Sequence, residues 1–378
     1  MTSLIKNQSY SVTTNTESDI KPKTVNDLLL DGRSLMQKEL RQLLESDIDS
    51  APFERISELI SMLLHDFELS SKDMKANTFK SLNSNWYQFC KWCEQHSITP
   101  IPCSVNHFEK YILEHTSRVK FNTLKVYSWA VQTMHLAAGL PSPTEPLKIK
   151  KLFETIESTK LTEGEFTTQA SAFNVSHLDV LEQELSGSVR LIDLRDLAIL
   201  TVAYESMLRE SELARITFEQ LSFTRDGRGL LIVPITKSRH SGEPDKVVLS
   251  EKCLDAIDQY VDAAGIIRSG LIFRKVHKSN RVGQQNKPLT GVAIDNVFNN
   301  AFHRVSASSP GLVRGSAPWS GHSARVGACQ DLLAAGFSPL EVQVSGRWSS
   351  PTMVYRYGRD ILAEDGAMAK FRSKTSKV

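Results

Sequence analysis

The sequence predicts a mainly α-helical protein of two domains, with a small β-sheet in the second. Three observations carry that reading. Apolar residues recur at steps of three and four along two stretches: Phe79, Leu82, Trp86 and Phe89, then Leu124, Tyr127, Val131, Met134 and Ala138. Such spacing lines one face of an α-helix. Residues 159–172 show no period and read as a linker. Beyond them, Gly229 to Ile235 and Lys246 to Leu249 read as strands around a loop containing Ser-Gly-Glu-Pro.

Composition narrows the class. Of the 378 residues 40% are hydrophobic and 23% charged, with 19 Gly and 14 Pro, which excludes collagen-like, low-complexity and disordered chains. No apolar run approaches the ~18 residues of a membrane span. No basic segment followed by an apolar core opens the chain, so no secretory signal is expected. The 5 Cys, an odd number in so long a chain, read as reduced thiols of a cytoplasmic protein.

Each element follows in order. Residues 1–25, rich in Ser, Thr and Asn, read as a disordered arm. Residues 26–71 form a helical extension, with Leu28, Leu35, Leu40, Leu43, Ile56, Leu59, Ile60 and Leu63 as apolar positions. Residues 72–158 form a helical core domain, in which Val105, Phe108 and Ile112 mark a helix between the two long ones. The second long helix stops at Gly139, with Pro141 and Pro143 just beyond. After the linker, residues 173–378 hold helices at Ser176–Leu185 and Leu191–Leu208, the two strands, helices at Lys252–Ala264 and Val292–Val305, and the last helices between Ala324 and Phe371.

Charge is unevenly spread. Residues 72–160 carry 12 Lys/Arg against 7 Asp/Glu, and residues 265–304 carry 7 against 1. Residues 1–71 and 161–224 are acidic, at 7 against 12 and 4 against 11. Two separated basic blocks point to a polyanionic partner. Glu182, Glu184, Asp193 and Asp196 read as a solvated acidic face. Cys90-x-x-Cys93 with Cys103 and His107 lacks a second Cys-x-x-Cys, so buried thiols are favoured over zinc. There is no His-Glu-x-x-His, no Gly-x-Ser-x-Gly and no phosphate-binding Gly-x-x-x-x-Gly-Lys.

Five segments carry chemistry. They are Tyr204-Glu-Ser-Met-Leu-Arg209-Glu-Ser-Glu212-Leu, Ile235-Thr-Lys237, Trp319-Ser-Gly-His322-Ser-Ala-Arg325-Val-Gly-Ala328, Ser-Gly-Arg-Trp348 and Met-Val-Tyr355-Arg-Tyr357-Gly-Arg359. In this order and spacing they resemble the active site of the tyrosine recombinases, over roughly residues 72–370. The run His322 to Ala328 and Gly366-Ala-Met368 near the end are especially similar to a phage-encoded member. The resemblance implies that Tyr357 attacks a DNA phosphodiester and holds a 3′-phosphotyrosine. A phenol has a pKa of about 10 and needs help to lose its proton. His322 would handle that proton. Arg209 and Arg325 would clamp the non-bridging oxygens, which guanidinium forks match bidentately. Lys237 would be the general acid, Trp348 would offer an indole N–H and a packing face, and Glu212 would orient Arg209 or His322. Tyr355 is the rival nucleophile; two positions along a helix it points about 160° away from Tyr357. Because the phosphodiester bond energy is kept, no cofactor, ATP or metal is implied.

The same resemblance implies a C-shaped DNA clamp with an integrase-type catalytic domain. Lys80 and Ser81, then Asn122, Lys125, Val126 and Ala130, fall on its base-reading helices, as do Val292 and Asp295; Arg314 sits in the segment before Trp319. Val126, Ala130 and Val292 offer apolar contacts, such as to thymine methyls, so the target sequence should differ from a relative's. The tail from Asp360 would dock on a neighbouring protomer through Leu362, Met368 and Phe371. Four copies would then assemble on two inverted-repeat duplexes, starting from a monomer or weak oligomer when free. The expected activity is site-specific recombination through a Holliday junction, in a bacterial nucleoid and from a mobile element. A type IB topoisomerase and a DNA-binding module without catalysis are the rivals.

Overall fold

The computed structural model describes residues 31–46, 52–71, 74–166, 168–234, 243–283 and 286–364, with 366, 368, 371 and 372. The expected arm at residues 1–25 lies outside them. The chain divides into two compact units, Met1–Thr167 and Thr168–Val378. No helix is long and apolar enough to cross a membrane among the described residues.

The first unit is all helical: α1 (Gly32–Leu44), α2 (Phe53–Ser70), α3 (Ala76–Gln95), α4 (Val105–Thr116), α5 (Phe121–Ala137) and α6 (Leu147–Thr162). Asp31 caps α1 by accepting the Ser34 N–H at 2.7 Å, and Ser104 caps α4 by accepting that of His107 at 3.2 Å. The expected stripes are the buried ones: Leu82, Trp86 and Phe89 on α3, and Leu124, Tyr127, Val131 and Met134 on α5. Phe79 is only partly buried. Met36, Leu40, Leu59, Ile60 and Leu63 of α1 and α2 belong to that same core. The contact is close at Gly139, where a Cβ would stand 3.0 Å from Leu63 and 3.3 Å from Leu40.

Helix α6 runs four residues into the segment expected to be linker, ending at Thr162 rather than before 159. Lys160 explains why. Its stem is buried, and its ammonium donates to the Val119 carbonyl at 2.9 Å and the Glu165 carboxylate at 2.6 Å. Glu165 also accepts the Phe121 N–H at 2.6 Å, placing a carboxylate at the start of α5. A pattern search sees only a polar run there.

The second unit holds α7 (Val175–Leu185), α8 (Leu191–Ser206), the single turn α9 (Glu210–Leu213), strands β1 (Leu221–Phe223), β2 (Gly229–Val233) and β3 (Asp245–Leu249), α10 (Glu251–Ala263), α11 (Gly291–Ser308), α12 (Ser323–Ala334), α13 (Pro339–Ser345), α14 (Thr352–Tyr357) and α15 (Arg359–Glu364). The strands form an antiparallel sheet in the order β1-β2-β3, with Leu231 opposite both Leu221 and Val247. β1 escapes the sequence pattern because three residues cannot display alternation. Ile235, the expected end of the second strand, lies outside the described residues. Helix α8 is buried on nearly every side, as a central helix must be. It ends at Ser206, short of the expected Leu208, because Met207 turns into the left-handed region at φ 48°.

The acidic face expected at residues 182–196 is not solvated at its centre. Asp193 is buried and receives Arg304 at 2.7 Å and Ser188 Oγ at 3.0 Å; Asp196 pairs with the buried Arg195 at 2.6 Å. Paired charges can enter an interior that lone ones cannot.

Candidate active site

The end of α8 builds the site. Its last carbonyls have no further helical turn to satisfy them, and two guanidiniums take that place. Arg347 donates to the Ser206 carbonyl at 2.8 Å and to that of Met207 at 3.2 Å. Arg325, on the first turn of α12, donates to the same Met207 carbonyl and to the Gly346 carbonyl at 3.0 Å. It is 1% exposed, and its Nε–H is buried with no hydrogen-bond partner. Gly346 can carry no side chain, since a Cβ would stand 2.2 Å from the Trp348 ring.

Glu212 joins this cluster from α9. Its carboxylate accepts the Arg209 backbone N–H at 2.9 Å and Arg209 Nη1 at 2.9 Å, and Arg347 Nη2 approaches it at 3.5 Å. The expected orienting role thus has a geometry toward Arg209, and none toward His322. Arg209 remains about 39% exposed, open to a ligand. Arg325 stacks over the Trp348 ring at 5.1 Å, and Trp348 meets Tyr357 edge-on at 5.7 Å.

His322 precedes α12 and Tyr357 closes α14. Their Nε2 and Oη atoms lie 2.5 Å apart. Tyr357 is 4% exposed while Tyr355 is 53% exposed, so the two tyrosines face opposite environments, as the helical angle requires. His322 is exposed at its rim, but partial desolvation holds its imidazole below the ordinary range, and Arg325, Arg209 and Arg356 push the same way. Burial raises the Tyr357 phenol, while Arg325, Arg356 and Arg209 pull it back. Burial, with Arg209 and Arg347 adding, lowers Arg325 to about 10, which leaves it charged at neutral pH. The pair is therefore a neutral imidazole against a protonated phenol, ringed by cations.

The structure brings together Arg209, Glu212, His322, Arg325, Trp348 and Tyr357, separated by up to 148 positions in sequence. Lys237 lies outside the described residues. Arg347 escapes sequence reading: an Arg beside a Trp resembles ordinary surface charge, yet it is 6% exposed. Its φ of 53°, a strained value for a residue with a Cβ, has no sequence signal.

The expected base-reading positions divide. Lys80, Asn122, Lys125, Val126, Val292 and Arg314 are exposed, and Ser81 is partly so. Lys125 pairs with Glu157 at 3.3 Å. Ala130 is a correction: it is 0% exposed inside the first core, because the α5 stripe is wider than its large residues. The Asp295 carboxylate accepts the Gly321 N–H at 2.8 Å and so holds the loop before His322. Leu362 is partly buried against the cluster of Val326, Leu333, Val354 and Tyr357 in its own unit; Met368 and Phe371 are exposed. Cys93 and Cys103 are buried and Cys90 partly so, with burial raising the Cys103 thiol to about 11 and Cys90 to about 12. No group of three or more potential metal ligands occurs among the described residues.

Residues 179–361 match the model of the phage integrase family. The chain is 26% identical over 328 residues to the Cre recombinase of Escherichia phage P1, covering 86% of this chain and 96% of that one. It is 25% identical over 336 residues to an integrase/recombinase XerD homolog of Selenomonas ruminantium, covering 87% and 93%. Its fold is similar to the Tn1549 transposon integrase in complex with transposon right end DNA, with a TM-score of 0.53 at 16% identity, over 79% of this chain and 94% of that one. It is also similar to the XerH site-specific recombinase bound to a palindromic difH substrate, with a TM-score of 0.55 at 11% identity, over 88% and 93%. The segments around Arg209, His322 and Tyr357 all lie inside the residues that match the phage integrase family, and over most of its length the chain is similar to tyrosine recombinases, enzymes that break and rejoin DNA.

Proposed function

We propose that this protein exchanges strands between two inverted-repeat DNA sites, through a 3′-phosphotyrosine on Tyr357 and a Holliday junction. The 2.5 Å contact of Tyr357 Oη with His322 Nε2 carries the reading. A neutral His322 accepts the phenolic proton as Oη attacks phosphorus. The bond from phosphorus to the 5′-oxygen breaks, and Lys237 supplies the proton that leaves with it. Arg209 and Arg325 meet the charge growing on the non-bridging oxygens. Trp348 packs between Arg325 and the nucleophile. Attack by the 5′-hydroxyl of another strand reverses the step and restores the phosphodiester. The balance closes without ATP, cofactor or metal.

Phosphate contacts from the basic blocks would supply affinity, and exposed side chains such as Lys80, Asn122, Val126 and Val292 the site preference. The exposed Met368 and Phe371 fit docking on a second copy, with four copies on two duplexes. The test presents a library of randomised inverted repeats in EDTA and sequences the DNA that stays attached after denaturation. Recovered sites are then placed singly or in pairs on supercoiled plasmids. Exchange between paired sites supports the proposal. Relaxation of single-site plasmids without exchange makes the protein a type IB topoisomerase-like enzyme.

A further inference from the structure

We infer that Arg347 is a positioning residue, which aims both phosphate-binding arginines by fixing the end of α8 and the Glu212 carboxylate at once. Three contacts point there. Its guanidinium donates to the Ser206 and Met207 carbonyls at 2.8 and 3.2 Å, and Met207 is the residue whose carbonyl also receives Arg325. It approaches Glu212 at 3.5 Å, the carboxylate that holds Arg209 by side chain and backbone. It approaches Asp245, at the start of β3, at 3.9 Å. One planar fork thus ties the α8 turn, α9 and the sheet together. Lysine has the charge but cannot span those directions.

The backbone gives an independent argument. Arg347 stands at φ 53° and Met207 at φ 48°, both in the left-handed region, on the two segments the fork joins. Glycine would hold φ 53° without strain. A side chain kept there at a steric cost marks a position where the side chain is used. Arg347 is 6% exposed and Arg325 lies between it and Tyr357 in the chain of contacts, so it acts through its neighbours.

The inference rests on the proposed role of Tyr357. Its test measures single-turnover adduct formation by the native chain, Arg347→Gly and Arg347→Lys on a duplex recovered from the inverted-repeat library. The same duplex with a methylphosphonate at the scissile position, DNA affinity and thermal melting are measured alongside. Arg347→Gly removes the fork while relieving the backbone. It should bind DNA like the native chain and stay folded, melting somewhat lower because the Ser206 and Met207 carbonyls lose a donor, yet form adduct on the order of 10²-fold more slowly at a temperature well below its melting point, the scale of a displaced reacting group. Arg347→Lys should be equally slow. On the methylphosphonate, which lacks one charge for Arg209 and Arg325 to meet, the deficit of Arg347→Gly should shrink to about tenfold or less. Native-rate cleavage by Arg347→Gly overturns the inference. So does an equal loss on both duplexes, whatever the melting temperature, which makes the residue merely structural. Absence of a Tyr357 adduct with the native chain overturns the reading of the site itself, a result visible before any variant is made.

Discussion

Each unit of the molecule buries a tyrosine against a histidine, and the two pairs behave differently. In the first unit Tyr111 and His115 lie with ring centroids 4.4 Å apart, and His115 donates to the Tyr111 carbonyl at 2.8 Å. The Tyr111 hydroxyl has no partner. Burial raises its phenol, and Tyr127, Cys93 and Cys90 raise it further. In the second unit the histidine meets the hydroxyl itself, at 2.5 Å, and Arg325, Arg356 and Arg209 oppose the effect of burial. Proximity of a tyrosine and a histidine therefore decides nothing. Under the proposed function, what separates a packing pair from a reactive one is where the imidazole points and the sign of the charge around the oxygen.

The largest expected effect breaks the comparison at its root. Tyr357→Phe should form no protein–DNA adduct on a denaturing gel while still binding DNA. Tyr111→Phe should form adduct at the native rate and melt at the same temperature or higher, because it removes a buried hydroxyl whose lost hydration costs about 1–3 kcal/mol. Adduct from Tyr357→Phe would place the chemistry elsewhere.

His322 comes next. Its replacement by Ala should slow adduct formation by roughly 10²–10⁴-fold, the usual worth of a positioned base. The base works when neutral, and partial desolvation lowers the pKa at which it gains its proton. Cleavage by the native chain should therefore stay level through neutral pH and fall only in acid, below the ordinary imidazole value. His322→Ala should lose that acid limb. A fall beginning above pH 7 would contradict the lowered imidazole.

Arg325→Lys follows. It keeps the charge and loses the fork, and should cost on the order of 10²–10³-fold in adduct formation with DNA affinity little changed. Guanidinium withdrawal also leaves the Met207 and Gly346 carbonyls short of a donor, which denaturant melts should register.

The smallest effects sharpen the contrast between surface and core on α5. Ala130→Leu overfills a closed site and should cost about 1–3 kcal/mol in chemical denaturation. Val126→Asn, at a position 37% exposed, should stay within about 0.5 kcal/mol but shift which library sites are captured. Unchanged preference after Val126→Asn and a matching change at Val292 would remove both from the reading surface.

The parts legible in the sequence were those with local signals. Leu82, Trp86 and Phe89, or Leu124 and Val131, declare a helix because periodicity is a property of neighbours. The motifs around Arg209, His322 and Tyr357 stand out through their order. Convergence is not local: Arg209 and Arg325 lie 116 positions apart, and only the turn at Met207 and its carbonyls bring them to one place. Arg347 was missed for that reason, since its worth depends on carbonyls supplied by a distant turn. Ala130 failed from the opposite side, as helix position alone does not say how wide the buried stripe is.

The central claim is that Tyr357, and no other tyrosine, becomes bonded to DNA. Digesting the captured adduct and locating the modified residue by peptide mass spectrometry tests it most directly. The nucleotide remnant should sit on the peptide containing Tyr357, with fragment ions assigning it past Arg356. A remnant on Tyr355, or DNA that binds from a broad library and is never attached, would contradict the account.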